Sequence, residues 1–331
     1  MIPENQAMHF LFRGMLNVSK SIIQGERYME KRRNKLSSYT KRSQRTAFLF
    51  MTPSLIILYV FVFIPLIAAF LLGVFDINIF LTNIDFVGLK HFKKIFSDER
   101  VWNAFKNTFI FTFVEASLQV SFGFLVACMV SGTTFFQKLV RSIYFIPVVC
   151  SMTCVGLVGM MILDPNIGTI PYLISKLGFE KPMMLKDPDM ALPLIILITV
   201  WKNFGQTLII LAAGLGGIGR HYYEASEIDG ANKFQQTRYI TVPLIWPSLS
   251  FCFVTNLIGS FQVFDIVFVA TKGGPLFSTE TVVQLIYSRG FSGEMNLGYA
   301  SALAVILFAV IVTFTLILYG LLNRQEKKMF G

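Results

Sequence analysis

Charge is what this sequence has least of. Only 15% of its 331 residues are Asp, Glu, Lys or Arg, where soluble domains carry roughly a quarter, so an ordinary soluble enzyme is excluded. With 54% hydrophobic residues, disorder is excluded as well. Cysteine is almost missing: Cys128, Cys150, Cys154 and Cys252 lie inside apolar runs without metal-ligand spacing. That argues against a disulfide framework or zinc site and leaves them as small packing residues. Histidine is just as rare. His9, His91 and His221 fall outside the apolar runs, and there is no His-Glu-x-x-His motif, so no metal or cofactor is expected on this chain and an intramembrane enzyme is disfavoured. No Gly-x-x-x-x-Gly-Lys-Ser/Thr loop occurs, so ATP is not bound in the P-loop manner. The first 46 residues show no apolar core followed by a small-residue cleavage site, and the first span is expected to act as an uncleaved insertion signal.

What is present is length in apolar runs. Windows of about 19 residues give six candidate spans, at 47–75, 108–130, 142–163, 190–215, 244–270 and 299–322. Each suffices for ~30 Å of hydrocarbon at ~1.5 Å per residue. The expected fold is all-α and polytopic. Its parts are a basic arm (1–46), a six-helix membrane domain (47–322) with a polar loop (220–243), and a short tail (323–331). Pro53, Pro65, Pro147, Pro193 and Pro247 lie within spans and predict bends, which neighbouring helices can satisfy.

The net charge of +10 suggests nucleic acid or a membrane surface. The membrane is favoured because the excess flanks the spans. The arm, Lys138, Arg141, Arg220, Lys233, Arg238, Arg324, Lys327 and Lys328 share one side if both termini do. The positive-inside rule makes that side cytoplasmic. Segment 88–107 dissents with Lys90, Lys93 and Lys94. Its Leu89, Phe92 and Phe96 recur near helical spacing, as in an amphipathic helix in the outer interface. The arm itself reads as a topogenic tail, or else as an interfacial helix or partner-binding segment.

The polar loop reads as two short helices. Tyr222 to Ile228 forms the first, Gly230 supplies a positive φ at its end, and Asn232 to Tyr239 restarts until Pro243 stops it. Here the chain resembles the permease subunits of binding-protein-dependent ABC importers, whose loop carries Glu-Ala-Ala, three residues, Gly, nine residues, Ile, one residue, Leu-Pro. Glu224-Ala225-Ser226, Gly230 and Ile240-Thr241-Val242-Pro243 stand at that spacing, with Ser226 and Val242 as the departures. Phe86-Val87-Gly88-Leu89, Trp201-Lys202-Asn203-Phe204-Gly205, Thr271-Lys272-Gly273-Gly274-Pro275 and Gly298-Tyr299-Ala300-Ser301-Ala302 resemble the sugar-permease branch related to the maltose transporter. The resemblance covers about residues 47–323.

It implies that the loop couples to a cytoplasmic ATPase subunit. Glu224, Glu227 and Asp229 would meet basic groups, Tyr222, Tyr223 and Phe234 would serve as aromatic anchors, and Gly230, beside Ala225, Ser226 and Ala231, would allow close approach. It further implies a related but different second permease, two ATP-binding subunits that hold ATP and magnesium, and an extracellular solute-binding protein. The expected location is the plasma or inner membrane of a bacterium or archaeon, with both termini cytoplasmic. No nucleic-acid partner is expected.

Ionisable groups at bilayer depth are costly, which makes Glu115, Lys202 and Asp265 functional candidates. Lys202 lies about 17 Å into the fourth span, where pairing with Glu115 or Asp265 is the leading expectation and substrate contact the second. Glu115 and Gln119 share a face at i, i+4. Asn203, Gln206, Asn256, Ser260 and Gln262, near Trp201, Phe204 and Phe261, suit a hydroxyl-rich ligand; helix–helix hydrogen bonding is the leading expectation and substrate contact the second. The resemblance puts a sugar site around the positions of Asn203, Gln206, Asn256 and Ser260. Thr271-Lys272-Gly273-Gly274-Pro275 predicts a tight external turn.

These features together read as the membrane subunit of an ATP-driven importer of a sugar or oligosaccharide. A carrier of another polar solute, such as a glycerol phosphate, is the alternative. A secondary carrier is the rival class, but six spans are half its usual size and no repeated pair of interrupted helices is present.

Overall fold

The computed structural model describes residues 44, 46–80, 84–132, 134–292 and 295–330. The basic arm therefore lies almost wholly outside the described residues. The chain divides into two units, Met1–Ala68 and Ala69–Gly331. The described part of the first is most of helix α1 (Thr46–Leu72), whose most apolar stretch buries none of its residues. A π turn at Tyr59–Phe63 precedes Pro65. The wider turn falls where the proline has no N–H to offer the preceding carbonyls.

The second unit opens with a small antiparallel hairpin, β1 (Phe75–Ile77) and β2 (Ile84–Phe86), in the register Phe75↔Phe86, Asp76↔Asp85, Ile77↔Ile84. Helix α2 (Lys90–Ser97) follows. It is the amphipathic segment expected from the sequence, but its face is rotated. His91 and Ile95 are buried, while Leu89 and Phe96 stay mostly exposed. The reason is local: the His91 ring is hydrogen-bonded to the Phe75 carbonyl at 3.1 Å and packs edge-on against Tyr299.

Helix α3 (Glu99–Val130) is capped by the Asp98 side chain, which accepts from the Arg100 N–H at 2.9 Å. At 32 residues and ~1.5 Å each it exceeds the ~30 Å hydrocarbon thickness. Its first turns therefore belong to the polar hairpin face. There Arg100 makes a fork to Glu280 at 2.6 and 2.7 Å, and Arg289 reaches Asp98 at 2.9 Å. The Asn107 amide donates to the Phe277 and Glu280 carbonyls. These bonds hold the 271–281 segment, which is a tight turn as expected, with a cis Gly274–Pro275 bond and positive φ at Lys272, Gly273, Leu276 and Phe277.

The third predicted span is not one helix. Helices α4 (Phe135–Val149) and α5 (Met152–Ile162) meet at a bend of 91°. Pro147 removes a donor near the end of α4, the Cys150 N–H closes back on the Pro147 carbonyl, and Cys150 and Ser151 are extended. Helix α6 (Thr169–Lys176) leads to α7 (Pro188–Gly216), the central helix. Half of its most apolar stretch is buried, against a third for α3. Close packing explains that burial: a Cβ on Gly123 would stand 2.9 Å from Thr207 Cγ2, and one on Gly205 only 2.2 Å from the Tyr144 carbonyl oxygen.

Helix α8 (Arg220–Ile228) opens the polar loop, and α9 (Lys233–Phe261) runs from that loop into the apolar core. The predicted stop at Pro243 is therefore absent. A π turn at Thr237–Thr241 precedes Val242–Phe261, and Pro243 sits in that segment's first turn, where its missing donor is harmless. The predicted fifth span also ends early. Residues 262–264 break it, and 265–270 form a separate short helix, α10 (Asp265–Ala270). Helices α11 (Val282–Tyr287) and α12 (Leu297–Phe330) complete the unit. Among the described residues, five helices are long and apolar enough to cross a membrane, or six if α4 and α5 count as one span.

Candidate functional site

Three helices present polar stripes to one another. Phe111, Glu115 and Gln119 recur every four residues along α3. Thr199, Lys202, Asn203 and Gln206 fall at i, i+3, i+4 and i+7 on α7, and Thr255, Asn256, Gly259 and Ser260 share a face of α9. The stripes line one cavity of about 340 Å³, closed by Met152, Gln262, Phe264 and Asp265. Nine of the ten pathway residues expected from the sequence meet there. Trp201 does not. It is 56% exposed and lines a separate apolar recess with Cys150 and Cys154. Phe204 and Phe261 are also absent from the cavity. Both are buried, Phe204 edge-on to Phe122 and Tyr144, and Phe261 edge-on to Phe109. The aromatic rings at the cavity are Phe111 and Phe264.

The polar lining separates into two groups by its hydrogen bonds. In the first, the Thr207 hydroxyl oxygen accepts from Gln119 Nε2 at 3.2 Å and from Asn256 Nδ2 at 3.1 Å, joining α3, α7 and α9 at a single atom. The Ser260 hydroxyl donates to the Glu115 carboxyl. Among the described residues Lys202 does not pair with an acid. Its Nζ donates to the Val148 carbonyl at 3.2 Å, so it covers an end carbonyl that the break after α4 leaves without a helical partner. Thr207 was missed by sequence reasoning; an isolated threonine in an apolar run carries no signal beyond its i+4 spacing from Asn203.

In the second group, the side chains of Asn203, Gln206, Gln262 and Asp265 have no hydrogen-bond partner among the described residues. Gln206, Gln262 and Asp265 are exposed and Asn203 is half-buried. The cavity thus carries unused donors and acceptors beside a fixed polar frame. Asp265 stands at the start of α10 rather than inside a span.

At the other end of α9 the polar loop is a built knob. Gly230 takes φ +81°, with open space where a Cβ would stand, and Asn232 starts α9 with a reciprocal capping box to Gln235. The Gln236 amide donates to Ser226 at 3.0 Å, Tyr223 and Thr241 share a hydroxyl hydrogen bond of 3.0 Å, and Lys233 reaches Glu227 at 2.7 Å. That lysine, then the Gln236 side chain, hold the Glu227 carboxyl below its ordinary pKa. Tyr223 and Ser226 are half-buried, each tied to α9 by these hydrogen bonds. Tyr222, Glu224, Ala225, Asp229, Gly230 and Phe234 remain exposed, Ala231 and Pro243 are half-buried, and Ile228, which sequence reasoning passed over, is 88% exposed.

The family described as binding-protein-dependent transport system inner membrane component matches residues 119–328. The chain belongs to this family. The permease is 32% identical to a probable ABC transporter permease protein of Pyrococcus horikoshii, over 84% of this chain and 96% of the relative. It is 28% identical to the trehalose/maltose transport system permease protein MalF of Thermococcus litoralis, over 86% and 96%. A bacterial alginate ABC transporter, crystallised with an alginate pentasaccharide-bound periplasmic protein, shares the fold at a TM-score of 0.76 and 22% identity, covering 86% of this chain and 96% of that one. The permease is accordingly a multi-pass membrane transport subunit and not itself an enzyme. ATP hydrolysis resides in a partner, and a binding protein belongs to the system.

Proposed function

We propose that this permease carries an uncharged sugar or oligosaccharide inward, as one of two related but different membrane subunits served by two ATP-binding subunits. In this reading both termini and the 220–243 knob are cytoplasmic, because most flanking cations lie on that side. A solute-binding protein delivers the sugar at the hairpin face. ATP and magnesium are held by the ATP-binding subunits, and closure of those subunits moves the knob as a rigid body.

The observation that carries the reading is the split lining of the cavity. A hydroxyl-rich ligand needs paired donors and acceptors, and the unpartnered Asn203, Gln206, Gln262 and Asp265 supply them. Glu115, Gln119, Asn256 and Ser260 serve as the frame, and Lys202 steadies the break after α4. An anionic solute such as a glycerol phosphate is disfavoured. The lining holds two carboxyl groups and no arginine, and its one lysine is engaged at Val148.

The test is uptake by the assembled transporter in proteoliposomes, with labelled neutral and anionic sugars. Import should require ATP on the knob side and binding protein on the other. Asn203→Ala and Gln206→Ala should each lower uptake about tenfold, as expected when a buried ligand hydroxyl loses its partner. Import of anionic sugars alone, or full activity in the double variant, would sink the proposal.

A further inference from the structure

Between the loop end of α9 and the last turns of α12 lies a groove of about 510 Å³, with Phe234 of the knob at one end. Its lining includes Arg238, Tyr239, Val242, Pro243, Trp246 and Lys328. We propose that it binds one anionic phospholipid, with the phosphate at Arg238 and Lys328 and an acyl chain along Val242, Pro243 and Trp246.

Charge comes first. Arg238 is exposed, and Arg324, Lys327 and Lys328 stand on the adjoining end of α12 with Glu326 as the one acid among them. None of these four cations is in an ion pair among the described residues. Such a cluster at a helix end attracts a phosphate. Position is the second argument. The groove begins at the polar loop and ends where α9 turns apolar, and Trp246 Nε1 lies 3.5 Å from the Leu322 carbonyl, tying α9 to α12. Tyr239 and Trp246 stand at the loop end of α9, beside the start of its apolar stretch, the position amphipathic rings favour at a membrane surface. A soluble anion would use the cations but gain nothing from the apolar floor. A lipid uses both.

The inference depends only on the chain's being a membrane protein and stands apart from the substrate reading. Its test uses the assembled transporter in nanodiscs of phosphatidylcholine with a minor fraction of phosphatidylglycerol. A photocrosslinking p-benzoyl-phenylalanine replaces Tyr239, which is 70% exposed at the rim. Phosphatidylglycerol adducts should exceed the bilayer ratio on the order of tenfold, and added inorganic phosphate should not reduce them. Arg238→Gln with Lys328→Gln should return them to the bilayer ratio. If that double variant does not assemble, Lys328→Gln alone must lower the enrichment. Adducts at the bilayer ratio in the parent protein, displacement by phosphate, or crosslinking to an ATP-binding subunit instead of lipid would each overturn the proposal.

Discussion

Gly205 and Gly216 lie on the same helix, yet the same substitution should have opposite effects at the two. A Cβ on Gly205 would lie 2.2 Å from the Tyr144 carbonyl oxygen and 3.0 Å from Val148 Cγ2. The oxygen belongs to backbone, so relief requires α4 to retreat from α7 by roughly 1 Å, a distance at which close-packed atoms lose much of their contact energy. Overpacking of this kind costs ~1–3 kcal/mol, partly offset by the ~1 kcal/mol that alanine gains over glycine within a helix. The same retreat pulls Val148 away from Lys202, whose bond of 3.2 Å to that carbonyl is charge-assisted and contributes ~1.5–3 kcal/mol. Gly205→Ala should therefore destabilise the permease by about 3 kcal/mol. Nothing lies within 4 Å of a Cβ at Gly216, so Gly216→Ala should be neutral or stabilising by up to ~1 kcal/mol. Apparent melting temperatures of the two variants in detergent, with uptake as a second readout, make the comparison. Equal shifts would refute the packing of α4 on α7 described above.

At the loop, a Cβ at Gly230 has open space around it but any side chain there must adopt a positive φ; Gly230→Trp should abolish co-purification with the ATP-binding subunits, while Gly230→Ala should weaken it only modestly, as scored by affinity pull-down. Glu227, whose carboxyl is held low by Lys233, contributes stability that is fully present above its unfolded pKa and lost as pH falls through the lower folded value. Protection of the loop from proteolysis should thus be full above the ordinary carboxylate range and decline as pH falls through and below it, and Lys233→Gln should reduce the protection seen at neutral pH. At the hairpin face, Glu280 is 1% exposed and forked to Arg100, so Glu280→Leu leaves a half-buried cation and should cost ~3 kcal/mol. Arg100→Met added to it should recover most of the loss in thermal melts.

The loop was the most legible part of the sequence because its signals are local. Gly230 marks the positive φ and Asn232 the restart, where the structure adds a capping box to Gln235. The cavity was legible for a related reason: helical spacing alone places Glu115 with Gln119 and Asn203 with Gln206 on common faces. Partnership was not legible. Arg100 and Glu280 are separated by 180 positions and Gln119 and Thr207 by 88, and hydropathy records no contact between them. The same blindness led to an expected acid for Lys202. Its actual partner is a backbone carbonyl released by the break at Cys150–Ser151; Pro147 predicts a bend in that run, but not which carbonyl it frees or that Lys202 covers it.

Pro243 is where this difference bears on function. Read as a stop, it would separate the knob from the membrane helices by a hinge. In the structure α9 is continuous from Lys233 to Phe261, so the capping box at one end and Ser260 at the other lie on one helix, ~40 Å apart at ~1.5 Å per residue. A displacement of the knob is then delivered along α9 to Asn256 and Ser260. Those residues hold Thr207 on α7 and Glu115 on α3, so the polar frame must follow or break. The π turn at Thr237–Thr241 is the one irregular stretch within α9, and it is pinned to the knob through Tyr223 and Thr241. On the proposed reading, coupling needs no flexible joint between the knob and the cavity. It needs only that the frame residues grip more tightly than the knob is pushed.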